Sequence, residues 1–420
     1  GLIEFHVLGK IDSTQGISHP RLIIHGTYKR DEFAQRVAAL HVHLGAVFSI
    51  WDETYCHTLT ELWSVGVPPL VFDFPTVANR VRESGAGWVL PHENIQALYQ
   101  QILTLAFDSA EQDRVDAAVA AWQDMAGCGE TTQLMGGRYL NVYRQARGLK
   151  AAPIIAVTAP SDKQLQRGNA STDIRLWERT RNSFERDVIY VRMTPNGLRA
   201  NLQNRSIDGA IIQRNVIPAT MVDPLITAFK QAGVGYAIDL DDDLLDVPSD
   251  KDPSGKYKAY APYLRRLLAA ARAVTVSTPQ LANHLANVNE HVHLVPNRLS
   301  DPVWRGYSEA REPDGFVRAL YFGSVTHRKD LAMIQPAIEA IIARHPNFRL
   351  AVVGVQNEPM PDWAERIIVP IGAVNYGYFV PWLREQTKAF DFALAPLVDT
   401  TFNQHKSGLK AMEGTALGLP

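Results

Sequence analysis

The sequence predicts an α/β protein of parallel sheets covered by helices, arranged in three domains. Short apolar runs alternate with amphipathic stretches along the whole chain, the pattern left by strands and covering helices in succession. The 420 residues exceed one ordinary core, since a domain takes roughly 100–200 residues. One set of residue types also recurs at matching offsets far apart, as related domains would leave it.

In the first domain, strands are expected at Ile3–Leu8, Arg21–His25, Ala46–Ile50, Pro69–Phe72 and Trp88–Leu90. Helices are expected near Arg30–Leu40, His57–Val65 and Thr76–Ser84. Three more helical patterns, near Ile95–Ala106, Ala110–Met125 and Thr132–Ala146, have no strand after them, so a domain closes there, over 1–150. A second alternating series opens at Ile154–Thr158 and continues through Val188–Val191, Gly209–Gln213, Gly235–Leu240, Ala273–Val276 and Val292–Val295, giving a domain over 151–298. The polar, proline-containing stretch Pro296–Asp314 leads into a third domain, 299–420, whose first strand is Val317–Phe322. The chain opens on Gly inside a strand and stops at Pro420 inside a turn, so it reads as a piece of something longer.

Composition narrows the function. A formal charge of −2, with 46% apolar and 20% charged residues, describes an ordinary globular protein without the basic excess of nucleic-acid binders. Cys56 and Cys128 cannot make a disulfide framework and fit a reducing compartment, so a cytoplasmic setting is expected. No apolar run approaches the roughly 18–20 residues of a membrane span, so any membrane association would be peripheral, at the inner membrane. No G-x-S-x-G, C-x-x-C or Walker A pattern is present.

The recurring set is Glu61, Gly66 and Pro68, matched by Glu413, Gly418 and Pro420. Each glutamate sits on an expected helix after an apolar strand, Val47–Ile50 or Phe392–Ala395, with Gly26 or Gly372 further back. E-x4-G-x-P is also a common helix ending, with Gly just past the last turn and Pro after it. The matching order of strands around both copies favours a repeat of domain one in domain three.

Chemistry is expected at strand-to-helix loops. There a helix N-terminus turns free N–H groups and partial positive charge toward an anion, so a diphosphate can lie against it. In the stretch 51–61, Glu53 lies in such a loop and can accept hydrogen bonds from sugar hydroxyls, while Glu61, two turns into the helix, can hold ribose hydroxyls. The plainer alternative makes Glu53 a capping acid and Glu61 a solvated helix residue.

Glu53 and Glu61, followed by Gly66-Val67-Pro68-Pro69-Leu70-Val71, resemble the E-x7-E motif of retaining family 4 glycosyltransferases and its sequel. The resemblance covers about residues 1–110 and implies a C-terminal, donor-binding Rossmann-like domain of the two-domain GT-B type. It implies that Glu53 contacts the transferred sugar and steadies charge at its anomeric carbon. Glu61 would bind ribose, and the backbone around Cys56, His57 and Thr58 would approach the phosphates. The family's earlier glycine loop and basic residue should lie upstream of Gly1, so this domain alone should be catalytically incomplete.

Residues 154–420 resemble a second unit of that superfamily. The stretches 236–245, 274–278 and 294–297 are similar to the N-terminal half of bacterial GT-B enzymes, and Ala319–Lys329 to the start of the donor half. There Gly323 would let backbone approach a phosphate, with Arg328 or Lys329 supplying charge; both could equally be solvated first-turn residues. The stretch 402–413 resembles the N-x-x-K-S-x-x-K-x-x-E variant of bacterial polysaccharide transferases, which implies that Lys406 and Ser407 bind the diphosphate and Glu413 the ribose. His405 stands where the first acid would be, so His405 or Asn403 would have to replace a carboxylate.

The acidic run Asp239, Asp241, Asp242, Asp243 invites a divalent metal. It is instead expected to cap the next segment or face the cleft, since GT-B enzymes manage the diphosphate with helix ends and Lys or Arg. His41 with His43 and His291 with His293 lack a third ligand nearby in sequence. The expected activity is sugar transfer from a UDP- or GDP-sugar to a glycan or lipid-linked acceptor, with retention and without a metal or cofactor, in bacterial surface polysaccharide synthesis. The alternatives are a nucleotide-sugar-binding scaffold without turnover and a sugar-nucleotide 2-epimerase.

Overall fold

The computed structural model describes residues 3–11, 18–129, 131–162, 167–168, 170–182, 186–306, 311–324, 327–354, 360 and 362–420. The chain divides into two compact units, Gly1–Cys128 and Gly129–Pro420. The architecture is α/β throughout, with parallel sheets in both units.

In the first unit, Phe5–Val7 pairs with Leu22–Ile24, and Gly45–Val47, Pro69–Phe72 and Trp88–Leu90 form a three-stranded sheet, all parallel. The central strand Pro69–Phe72 is buried at every position, as a strand covered on both faces must be. Helix His57–Ser64 contributes Leu59 and Trp63, and helix Pro75–Ser84 contributes Val77 and Val81, to one apolar core with Val71. The buried indole of Trp63 donates from Nε1 to the Ala86 carbonyl at 2.6 Å, so its polar atom is satisfied.

The second unit holds two parallel sheets. The larger runs, in spatial order, Val292–Leu294, Ala273–Val276, Gly235–Leu240, Gly209–Gln213, Ile154–Thr158 and Ile189–Arg192. The smaller runs Ala364–Ile367, Phe348–Val353, Val317–Phe322 and Phe392–Leu394. Ile212, Ile238 and Val274 are fully buried on adjacent strands and pack with Leu264, Leu267 and Leu268 of helix Lys256–Ala270. Burial of a Leu, Ile or Val side chain contributes about 1.5–3 kcal/mol against the entropy of ordering it.

Strands Pro69–Phe72, Trp88–Leu90, Ile154–Thr158, Gly209–Gln213, Gly235–Leu240, Ala273–Val276 and Val317–Phe322 take the bounds expected from their apolar runs. The domain edges differ. Helix Thr132–Ala146, expected to finish the first domain, belongs to the second unit, so the division falls at Cys128 rather than near Arg147–Pro153. Packing decides this: Leu134 joins the core of Ile154 and Ile189, and a Cβ at Gly137 would lie 3.0 Å from Ile189 Cγ2. Asn141 fastens the connection by donating to the Ala152 carbonyl at 2.9 Å and accepting from its N–H at 2.7 Å.

Asp173 opens a short π-helical segment, Asp173–Trp177, and its Oδ2 is buried without a hydrogen-bond partner. Burial, helped by Glu178, raises its pKa to about 6. A carboxyl whose folded pKa exceeds its unfolded value costs stability while ionised; that cost is full above about 6 and disappears as pH falls toward 3.8. Asp173→Asn is therefore expected to raise stability by about 1 kcal/mol near pH 8, after discount for solvent screening, and to change little near pH 4. Thermal unfolding at both pH values checks this, and an equal effect at both would rule it out.

Candidate functional site

The acidic run lies at the carboxyl end of the Gly235–Leu240 strand, at the end of a parallel sheet where ligands of such folds collect. Buried carboxylates are tolerated only when paired, and each acid here finds its own partner. Arg175, 3% exposed, grips Asp239 through both Nε, at 3.1 Å, and Nη2. Thr275 Oγ1 donates to the same carboxylate at 2.7 Å. Asp241 takes Arg214 Nη1 at 2.8 Å and the Ser171 hydroxyl. Arg214 is held at φ 56°, a left-handed conformation uncommon for a residue with a side chain, just past the end of strand Gly209–Gln213.

Asp242 joins this larger sheet to the segment that follows the smaller one. Its Oδ1 lies 3.0 Å from Lys406 Nζ. Burial alone would raise Asp242, but Lys406 and Arg214 outweigh it and hold the carboxyl below its ordinary range. Burial leaves Asp241 raised, with Arg214 only partly offsetting it. Asp243 meets two imidazoles, with its Oδ2 3.2 Å from His405 Nδ1 and 3.2 Å from His284 Nε2. A second thread crosses the same gap: Arg175 Nη1 donates to Asn297 Oδ1 at 3.1 Å, and Asn297 Nδ2 donates to Ser407 Oγ at 2.7 Å.

On the facing side, helix Leu409–Ala416 begins after Gly408, and no side chain caps its N-terminus. Glu413 is buried, and Lys410 Nζ donates to it at 2.8 Å while lying 4.5 Å from the centre of the Phe322 ring. Lys410 thus sits beside the strand end that leads into Gly323. Gly323 N–H donates to Val353 O at 3.0 Å, and a Cβ at Gly354 would fall 2.4 Å from the Gly323 carbonyl, so these two loops meet backbone to backbone. His327 Nδ1 lies 2.8 Å from Oδ2 of the buried Asp330, whose Oδ1 accepts from Val398 N–H at 2.9 Å. Burial holds His327 below the ordinary imidazole range, with Lys406 and Lys410 adding to this and Asp330 opposing it.

The residues singled out in sequence are distributed as follows. His405, Lys406, Ser407 and Glu413 lie in and just before the helix Leu409–Ala416 of the second unit, whose Lys410 reaches the Phe322 ring next to Gly323. Asn403 is buried nearby; its Nδ2 donates to Val398 O at 2.8 Å, and its Oδ1 has no hydrogen-bond partner. Lys329 pairs with Asp250 at 2.9 Å, and Arg328 is an exposed first-turn residue; Val325 and Thr326 lie outside the described residues. In the first unit, Glu53 accepts from Ser49 Oγ at 2.7 Å, and Glu61 pairs with Arg30 at 3.1 Å. Cys56 precedes the helix at φ 64°, and burial raises its thiol pKa. His57 and Thr58 are exposed at the helix start.

The two copies of E-x4-G-x-P match in backbone detail. Each helix has eight residues, starts four before its glutamate and ends at a glycine of positive φ, 80° at Gly66 and 76° at Gly418. Val67 N–H donates to Leu62 O and Leu419 N–H to Gly414 O, both at 3.0 Å, the same wrapped ending. Beyond the ending, Gly45 N–H donates to Pro68 O at 2.9 Å and Ala393 N–H to Pro420 O at 3.0 Å, tying the preceding strand in both cases.

Arg175, Arg214, His284 and the role of Asn297 went unread in the sequence. Each stands 27 to 122 residues from its partner in the chain, so only the fold brings them together.

No protein-family model matches the chain, and a comparison with curated proteins gives no significant match. Similar solved structures include TarM, at 9% identity and TM-score 0.35, covering 54% of this chain and 43% of that one. Another is the pneumococcal O-GlcNAc transferase GtfA in complex with UDP and GlcNAc, at 12% identity and TM-score 0.33, covering 54% and 44%. The glycotransferase of kitacinnamycin is similar at 11% identity and TM-score 0.26, covering 90% and 84%. The chain spans less than half the length of TarM and of GtfA.

Removing one partner from a buried ion pair leaves the other uncompensated, at about 3–5 kcal/mol. Arg175→Ala is expected to destabilise the second unit by that amount, while the paired change Arg175→Met with Asp239→Leu should recover most of it. Denaturant unfolding of Arg175→Ala, of Arg175→Met and Asp239→Leu singly, and of the double variant checks this; an additive double variant would show that the pair does not act as a unit.

Proposed function

We propose that the chain is a GT-B glycosyltransferase carrying parts of two tandem units, with the second unit holding the donor site. The observation that carries this reading is the place of Lys410, bonded to Glu413 and lying over Phe322 next to Gly323, in an uncapped helix start just after Lys406, which reaches Asp242 of the larger sheet. Those groups suit a nucleoside diphosphate: N–H groups and ammonium ions for the phosphates, close backbone at Gly323, and a buried carboxylate for the ribose hydroxyls. Ser407 would add a hydroxyl to the phosphates, and Lys406 would exchange Asp242 for the diphosphate when the donor enters.

In this reading a UDP- or GDP-sugar gives its sugar to a glycan or lipid-linked acceptor with retention. The bond from the anomeric carbon to the diphosphate breaks, the acceptor oxygen bonds to that carbon, and the acceptor proton passes to the oxygen of the departing diphosphate. The helix start and the lysines stabilise the departing charge, so catalysis is mainly positioning and electrostatics. His405 and Asn403 stand near the place of the missing first acid. Surface polysaccharide assembly at the cytoplasmic face of a membrane suits such an acceptor. Glu53, Cys56, His57, Thr58 and Glu61 would make the corresponding site of the first unit, with Glu61 released from Arg30. One observation favours binding without turnover: His405 replaces the acid and faces Asp243.

Calorimetric titration with UDP and GDP, followed by incubation with labelled donor sugars and an acceptor, tests the reading. Glu413→Ala is expected to weaken nucleotide binding about 10–100-fold, the loss of about 1.5–3 kcal/mol of hydrogen bonds to a charged group. Unchanged affinity removes Glu413 from the site. Transfer with a retained anomer supports the enzyme, binding alone supports the scaffold, and a changed donor sugar without acceptor supports an epimerase.

A further inference from the structure

We propose that Asp243, His284 and His405 form a binding site for a divalent transition metal ion, zinc above all, that joins the two parallel-sheet portions of the second unit. The proposal shares only His405 with the donor-site reading and uses neither Glu413, Lys406 nor the helix start.

The geometry comes first. Asp243 Oδ2 lies 3.2 Å from Nε2 of His284 and 3.2 Å from Nδ1 of His405, and the three ligand atoms fall within 4.8 Å of one another. A tetrahedral zinc ion with bonds of about 2.0–2.1 Å sets its ligand atoms about 3.3–3.4 Å apart. Two of the three spacings are thus already close to those of a filled site.

Charge accounting points the same way. In the run from Asp239 to Asp243, the first three acids each touch an arginine or lysine: Arg175, Arg214 and Lys406. Asp243, 2% exposed, is the fourth, and its ion-pair contacts among the described residues are the two imidazoles. A buried carboxylate without a fixed cation is costly. His405 is 7% exposed, and its Nδ1 makes no hydrogen bond despite its closeness to Asp243. A bound cation would satisfy both the acid and the orphaned nitrogen at once.

The groups behind the ligands are in place as well. Asp243 Oδ1 accepts from Leu245 N–H at 3.1 Å, which orients the carboxylate. Thr278 caps the helix Pro279–Leu285 that carries His284, accepting from Leu281 N–H at 3.3 Å, and its hydroxyl donates to the His405 carbonyl at 2.7 Å. One threonine therefore ties together the two backbone segments that carry the imidazoles. Two nitrogens and one oxygen suit zinc or its transition-metal neighbours, whereas magnesium and calcium prefer oxygen alone. Three protein ligands leave one position for water, and His284, 40% exposed at its side chain, gives the ion a way in. Asp243 and His284 belong to the portion with the larger sheet and His405 to the portion with the smaller, so the ion would tie them together.

The test uses the full 420-residue chain without an affinity tag, stripped with chelator, reloaded with Zn²⁺ and desalted. One zinc per chain is expected, and Co²⁺ in its place should give the visible bands of a tetrahedral site. H284Q, a change at a half-exposed position, should keep the far-ultraviolet spectrum of the parent yet bind zinc at least about 100-fold more weakly in competition with a chromophoric chelator; H405Q should do the same. Failure of the parent chain to retain zinc overturns the proposal, as does stoichiometric zinc in a folded H284Q, which would place the ion elsewhere, for instance on a cysteine.

Discussion

The second unit depends on holding four carboxylates, two buried and two half-buried, within five residues at the end of one strand. Water cannot solvate Asp239 or Asp243 there, so the chain must supply compensating groups from elsewhere. It does so from separate segments: Arg175 before the second strand of the larger sheet, Arg214 past the end of another, His284 on a helix, and His405 and Lys406 from beyond the smaller sheet. Each partner also fixes the segment that bears it. The polar cluster thereby specifies how the two sheets of this unit meet, a task that apolar contact alone would leave loosely determined.

Under the proposed function, the same arrangement would leave a diphosphate site both closed and available. Lys406 bonds to Asp242 and Ser407 accepts from Asn297, so phosphate-seeking groups are occupied by polar groups of the opposite portion. An entering anion of higher charge can displace a single carboxylate from a lysine at modest cost, because the pair retains some solvent access. Arg175, by contrast, is bidentate to Asp239 and almost wholly buried, a structural pair rather than an exchangeable one.

Much of the fold was legible because parallel strands buried on both faces leave unbroken apolar runs, and Ile154–Thr158, Gly209–Gln213 and Gly235–Leu240 are such runs. The helix endings were legible because glycine at positive φ followed by proline has few other uses, as at Gly66 and Gly418. The membership of helix Thr132–Ala146 was not, since its pattern states only that one face is apolar, and the edge strand Ile189–Arg192 that receives it lies further along the chain. Of the candidate site, His405, Lys406, Ser407 and Glu413 were named through the resemblance of the stretch 402–413 to a family motif. Their partners could not be: Arg175 and His284 look like any surface residue until the fold brings them to an acid.

The two E-x4-G-x-P segments separate what the motif does for folding from what its glutamate can do for chemistry. The helix length, the wrapped ending and the link to the preceding strand are shared, so they are properties of the backbone and need no ligand. The glutamates differ. Glu61 keeps 24% of its side chain exposed and pairs with Arg30, itself 79% exposed, a contact worth little in water. Glu413 keeps 5% and is fixed by Lys410, which in turn lies over Phe322 at the mouth of the glycine loop. A carboxylate already desolvated and oriented loses less freedom when it binds a hydroxyl. By that physical criterion the second copy would, under the proposed function, be the one to hold a ribose, while the first retains the same frame around an acid still shared with solvent.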